Sequence, residues 1–169
     1  MPEVTLRHDI DCDIDTYWAK IFFEEKFNDA LFVQDLGFKR KLEELKEDDA
    51  KIVRRVYVEP PTGNLPGPVK KVVGDKLGYT EVGTFDRKTK KYSFKATPST
   101  MAEKTKIFGD LWCEAKGDKC VRIVKMTVEV KVMLVGGMVE DRIVADLRTS
   151  YDKGAIFTND WIKKHGITG

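Results

Sequence analysis

Apolar residues along the chain recur at mixed spacings first, then almost only at strand spacing, and finally at helix spacing. Alternation from Val4 to Asp9 predicts a first strand. Thr16 to Phe23 and Glu25 to Leu36 predict two short helices, the second stopped by Gly37. Phe38 to Glu47 and Lys51 to Glu59 predict strands joined by the acidic turn Glu47-Asp48-Asp49. The proline-rich stretch from Pro60 to Pro68 breaks regular structure, and Val69 to Leu77 predicts one or two helical turns. Four further strands are predicted over Gly78 to Phe85, Lys91 to Thr97, Met101 to Glu114 and Lys119 to Val135. Gly136-Gly137 ends the last of them, and a helix is predicted from Met138 to Lys164.

On a helical wheel that last segment gathers Val139, Ile143, Val144, Leu147, Tyr151, Ala155, Phe157, Trp161 and Ile162 on one side. Asp141, Arg142, Arg148, Asp152, Lys153, Asp160 and Lys163 lie opposite. Such a helix is about 40 Å long, the full width of a globule of this size, so it is the expected packing partner of the sheet. The strand before it carries Cys120, Arg122, Val124, Met126, Val128, Val130, Val132 and Leu134 on one face, with Lys125, Thr127, Glu129 and Lys131 on the other. Extended from Lys119 to Val135 it would span about 56 Å, longer than the globule, which requires a bend or bulge and a curled sheet. Pairing Phe85 with Tyr92 sets Gly83 against Phe94 and Glu81 against Ala96. Pairing Cys113 with Cys120 sets Leu111 against Arg122 and Ile107 against Met126. The expected architecture is α+β: a curved antiparallel sheet gripping a long C-terminal helix, with two short helices after the first strand, all in one domain over residues 1–169.

Composition adds exclusions. The chain has 169 residues with 34% charged, 41% hydrophobic and a net charge of +2, and the interspersed signs argue against a nucleic-acid surface. No run of eighteen apolar residues offers a transmembrane span, and the acidic, strand-like start does not read as a signal peptide. A cytoplasmic domain is the expectation. Three cysteines, Cys12, Cys113 and Cys120, read as reduced thiols, and a Cys113–Cys120 bridge would be strained.

Few residues offer chemistry. Asp9 to Asp15 is rich in aspartate, but a calcium loop needs Gly and Glu where Ile14 and Lys20 stand, so Asp13 or Asp15 reads as a helix cap. His8 and His165 have no second ligand at metal spacing, and the glycines at 63, 67, 74 and 78 are turn glycines rather than a phosphate loop. No metal and no cofactor are expected. Ser150, Gly154 and Thr158 form a small-residue stripe on the inward helix face. It fits either an unfilled cavity or close approach of Tyr92, Phe94 or another bulky strand residue. Glu81, Arg122 and Glu140 project from apolar faces, with Arg54 beside Ile52, Val56 and Val58. Internal salt bridging, recognition of a ligand's polar group and acid–base work are all open to them. Pro60 to Val73, with Leu65 and Lys70-Lys71, suits a lid or transient membrane contact, or a plain surface loop with a solvated helix.

The element order resembles the START-like (SRPBCC, helix-grip) superfamily. Three segments are similar to one uncharacterised branch of it, a domain of unknown function from actinobacteria and other lineages: Asp13 to Trp18, Gly78 to Phe85, and Val130 to Glu140 through Gly136-Gly137. None of these residues is a catalytic signature. The resemblance therefore implies a fold and a cavity for a hydrophobic small molecule, such as a lipid, sterol or isoprenoid, between sheet and helix. The expected ligand-binding residues are Glu81, Tyr92, Phe94, Ile107, Leu111, Arg122, Val124, Met126, Val128, Leu147, Ser150, Tyr151, Gly154 and Thr158. Two alternatives are an enzyme of cyclase, dehydratase or hydrolase type using the same cavity, through Glu81, Arg122, Tyr92 and Tyr151, and a protein-interaction domain with a filled core.

Overall fold

The first strand, β1 (Glu3–Ile10), pairs with the last one rather than with its neighbours in sequence. The computed structural model describes residues 2–61, 65–74 and 78–168, the side chains of Val72 and Val73 excepted. Its other strands are β2 (Lys39–Glu47), β3 (Lys51–Glu59), β4 (Tyr79–Asp86), β5 (Lys91–Pro98), β6 (Thr105–Lys116) and β7 (Lys119–Val130). Together they form a curved antiparallel sheet in the order β1-β7-β6-β5-β4-β3-β2. From β2 to β7 each strand turns back on the one before, so the sheet is a meander closed by β1.

Alternation decides which face is buried. On β7, Cys120, Arg122, Val124, Met126, Val128 and Val130 are all buried, as are Tyr92, Phe94 and Ala96 on β5 and Ile52, Arg54, Val56 and Val58 on β3. These residues make the concave face, where burying one Val, Leu, Ile, Phe or Met stabilises the fold by about 1.5–3 kcal/mol.

Against this face lies α4 (Gly136–Lys164), preceded in the chain by α1 (Ile14–Thr16), α2 (Glu25–Asn28) and α3 (Gly67–Val73). Asp13 caps α1, its carboxylate accepting from the Thr16 amide at 2.8 Å. Both short helices pass into wider π-helical turns, Tyr17–Phe22 and Asp29–Asp35. Buried Asn28 joins them by donating to the carbonyls of Phe22 (3.0 Å) and Glu24 (3.1 Å). Among the described residues no helix is long and apolar enough to cross a membrane.

Several boundaries differ from the sequence reading. The last strand ends at Val130, not Val135, so its length is accommodated by stopping short rather than by a bulge. Leu134 has φ 71°, outside the strand region, and the chain folds back so closely that a Cβ on Gly136 would lie 2.4 Å from the Val130 carbonyl. The helix accordingly starts at Gly136 rather than Met138, with Glu140 accepting from the Val130 amide at 2.8 Å. Met101, at φ 58°, and a 3₁₀ turn at Ala102–Lys104 delay β6 to Thr105. The β4–β5 register is as expected, Phe85 opposite Tyr92 and Gly83 opposite Phe94. The β6–β7 register is not: Cys113 faces Arg122, Leu111 faces Val124 and Ile107 faces Val128. Gly117, at φ 62°, allows a two-residue turn with Lys116 opposite Lys119, so Cys120 meets Ala115 and all three cysteines are free thiols. Val69 of α3 is buried with Val130 and Val139, which anchors a helix expected to be solvated. Gly63 and Leu77, assigned above to a turn and a helix, lie outside the described residues.

Candidate ligand-binding cavity

The long helix does not fill the sheet it grips. It packs directly against β1 and β7. There Asn159 accepts from the Asp11 amide at 2.8 Å and donates to the Asp9 carbonyl at 3.0 Å. Over the rest of the sheet its inward residues Ile143, Leu147, Ser150 and Tyr151 stay only half-buried. The third wall comes from the short helices, with Tyr17, Phe22, Phe27, Leu31, Phe32 and Leu36. The cavity measures about 390 Å³, within the range of about 300–1,000 Å³ usual for small-molecule sites. Exposed Asp146, Thr149 and Lys153 line it too, so it opens to solvent along α4.

Of the expected site residues, all but Val124 and Val128 line this cavity. Those two are fully buried in the core beneath its floor. In the small-residue stripe, Thr158 is satisfied internally, its hydroxyl donating to the Gly154 carbonyl at 2.6 Å. At Gly154 a Cβ would meet Leu31 Cδ2 at 3.8 Å, an ordinary contact, and no strand side chain within 4 Å. Gly83 is the position crowded by a strand aromatic: a Cβ there would fall 2.0 Å from Tyr92 Cζ. The lining residues of the short helices, and Arg40, Val56, Val58 and Tyr79 on the far strands, escaped the sequence reading. The signals for them were aromatic density, Tyr17-Trp18 and Phe22-Phe23, on segments otherwise read as covering helices, and the alternation that sets Val56 and Val58 beside Arg54.

Beyond the Arg40–Glu25 pair and the charges at the α4 opening, two groups of charge stand inside the cavity. Arg54 pairs with Glu81 (Nη2–Oε2, 3.2 Å), and the Tyr92 hydroxyl donates to the same oxygen at 2.9 Å. The Arg54 guanidinium lies over the rings of Phe22 (4.6 Å), Tyr92 (5.3 Å) and Phe23 (5.5 Å). Burial, reinforced by Glu81, pushes the Tyr92 phenol far above the usual tyrosine range.

The second group centres on Arg122. Its Nη2 meets His8 Nδ1 at 3.3 Å and donates to the Tyr151 carbonyl at 3.1 Å, and the guanidinium lies 5.1 Å from the Tyr151 ring centre. Because the arginine can only donate, His8 accepts at Nδ1 and carries its proton on Nε2, which donates to Asp152 Oδ1 at 2.7 Å. His8 comes to Arg122 through the β1–β7 pairing, where the two are register partners. Tyr17 and Tyr151 share this wall. Burial raises both phenols, Tyr151 to about 12, while Arg122 pulls each the other way. Glu140 is not part of either group; its carboxylate serves the β7–α4 turn.

Cys120 is lowered by its hydrogen bond with Cys113 but is fully buried, and the other two thiols are raised. Burial pushes Cys12 up to about 12, and hydrogen bonding to Cys120 together with burial raises Cys113. Among the described residues no cluster of three or more His, Cys, Asp or Glu could hold a metal ion.

Against known proteins, the family described as protein of unknown function (DUF2505) matches residues 5–162. No curated protein sequence matches. Among solved structures, TTHA0849 from Thermus thermophilus superimposes with a TM-score of 0.62 at 13% identity, covering 97% of this chain and 99% of that one. The Zhui aromatase/cyclase from a Streptomyces species gives 0.61 at 10% identity, with 96% and 94% covered. Norcoclaurine synthase from Thalictrum flavum gives 0.57 at 14% identity, with 97% and 87% covered. At these identities the shared property is the START-like fold.

Proposed function

The chain belongs to the family described as protein of unknown function (DUF2505), whose membership brings no activity with it, and we propose that it binds a hydrophobic small molecule between the curved sheet and α4. The observation that carries this reading is the cavity of about 390 Å³ left where the middle of α4 stands over the sheet. Its walls are mostly apolar, from Phe94, Ile107, Leu111 and Met126 on the strands to Leu31 and Leu147 on the helices. Native interiors are close-packed, and leaving such a space empty forfeits the contacts that would line it. A protein-interaction domain would need that space filled. The test is titration with the neutral fluorophore Nile red, comparing the native chain with Ser150→Trp, whose indole would occupy the cavity from the helix side. Saturable binding that the folded variant loses supports the reading; no binding, or equal binding by both, contradicts it.

An enzymatic reading has one observation in its favour. Glu81, Arg54 and Tyr92 converge inside the cavity, with the Tyr92–Glu81 hydrogen bond at 2.9 Å. Both donors converge on one Glu81 oxygen, so that oxygen is already engaged within the protein rather than open to a substrate proton. That favours retention of a ligand over turnover.

A further inference from the structure

Arg122 is 5% exposed, yet among the described residues no carboxylate lies within ion-pair distance of it. The other arginines with buried side chains are neutralised: Arg54 by Glu81, and Arg40, whose side chain is 5% exposed, by a two-point contact with Glu25 at 2.7 and 3.2 Å. A buried guanidinium without a counter-charge is costly, since neutral acceptors recover only part of its lost hydration. At Arg122 those acceptors are His8 Nδ1 and the Tyr151 carbonyl, both reached through Nη2, and the hydroxyl of Tyr17; Nε is buried without a partner, as is that of Arg54. Tying α4 to the sheet does not require a charge. On the same helix Asn159 makes the equivalent link to β1 with a neutral amide.

We infer that Arg122 is the anchor for an acidic group, and that the ligand is an apolar molecule ending in one carboxylate. The inference deepens the binding function proposed above and rests on it. Arg122 lines the cavity beside Tyr17 and Tyr151, whose phenols burial keeps protonated and therefore able to donate to the same anion. One uncompensated buried positive charge matches a monoanion, where a phosphate dianion would leave a negative charge buried. His8, held by Asp152, fixes the guanidinium from behind and is a positioning residue.

The experiment titrates the full chain calorimetrically with dodecanoate, dodecan-1-ol and dodecyl phosphate, near pH 8 where the fatty acid is ionised. Dodecanoate should bind about tenfold or more tighter than the alcohol, the size expected of a charge-assisted contact in a desolvated site. Arg122→Gln should bring that ratio close to one and leave alcohol binding nearly unchanged, with a thermal melt to establish that the variant folds. Should it fail to fold, the acid–alcohol ratio of the native chain decides alone. Equal binding of acid and alcohol overturns the inference while leaving the cavity as a ligand site. Tighter binding of dodecyl phosphate overturns the single-charge assignment, and an acid preference that survives in folded Arg122→Gln overturns the assignment to Arg122. If none of the three binds, the proposed binding function falls and this inference with it.

Discussion

Gly83 and Gly154 both lie on surfaces that face the interior, and they respond oppositely to an added methyl. At Gly154 the added Cβ finds Leu31 at 3.8 Å, so Gly154→Ala should recover helix propensity and stabilise the protein by about 0.5–1 kcal/mol in denaturant unfolding. At Gly83 the space is taken by the Tyr92 ring, 2.0 Å from the added atom. Tyr92 stacks on Phe94 and meets Phe22 edge-on, so it cannot swing away freely. Gly83→Ala should therefore cost roughly 1–3 kcal/mol and disturb the Tyr92–Glu81 contact. If the two variants shift the unfolding midpoint equally, the packing described around them is wrong. The sequence pattern pointed to Gly154 as the unusual glycine because a helix interior penalises it. It said nothing about Gly83, whose constraint comes from a side chain on the next strand.

Where elements meet, the β7–α4 turn carries a close backbone approach that a glycine permits. Gly136→Ala would drive a Cβ to 2.4 Å from the Val130 carbonyl, whereas Gly137 has open space around it. Thermal unfolding should register a loss of about 1–3 kcal/mol for Gly136→Ala and almost none for Gly137→Ala. Similar effects at both positions would contradict the fold-back. The acidic turns give a second prediction. Asp13 accepts from the Thr16 hydroxyl and amide, and Asp48 from the amides of Ala50 and Lys51, and these bonds lower both carboxyls below the ordinary value of 3.8. In the folded state each proton is harder to add, so the unfolded chain binds more protons in that range. The contribution is present above about pH 4 and is lost as pH falls through the depressed folded values. Urea unfolding of Asp13→Asn/Asp48→Asn should accordingly lose less stability on acidification below that point than the native chain; parallel curves would contradict the capping. Element order was legible because amphipathic periods are local. The β6–β7 register was not, because a left-handed Gly117 rather than the spacing of two cysteines decides it.

For the whole molecule, the decisive juxtapositions come from pairings distant in sequence. His8 reaches Arg122 only because β1 closes the sheet beside β7, and Arg54 meets Glu81 only once β3 and β4 are in register. Face patterning named the cavity lining on β5 to β7 and along the inward stripe of α4 in part, since alternation and helix period are readable one segment at a time. It could not reveal that Arg54 is neutralised and Arg122 is not, which is a property of the assembled fold. The same assembly separates the tightly packed positions of α4, Ala155 and Ile162, from the residues that stand over the cavity. The most direct test of the binding site is native mass spectrometry of the protein after incubation with a total cellular lipid extract. The predicted result is a population heavier than the polypeptide by one small molecule, released by organic solvent and recovered as an apolar acid. Polypeptide mass alone, from a preparation that remains folded, would contradict it.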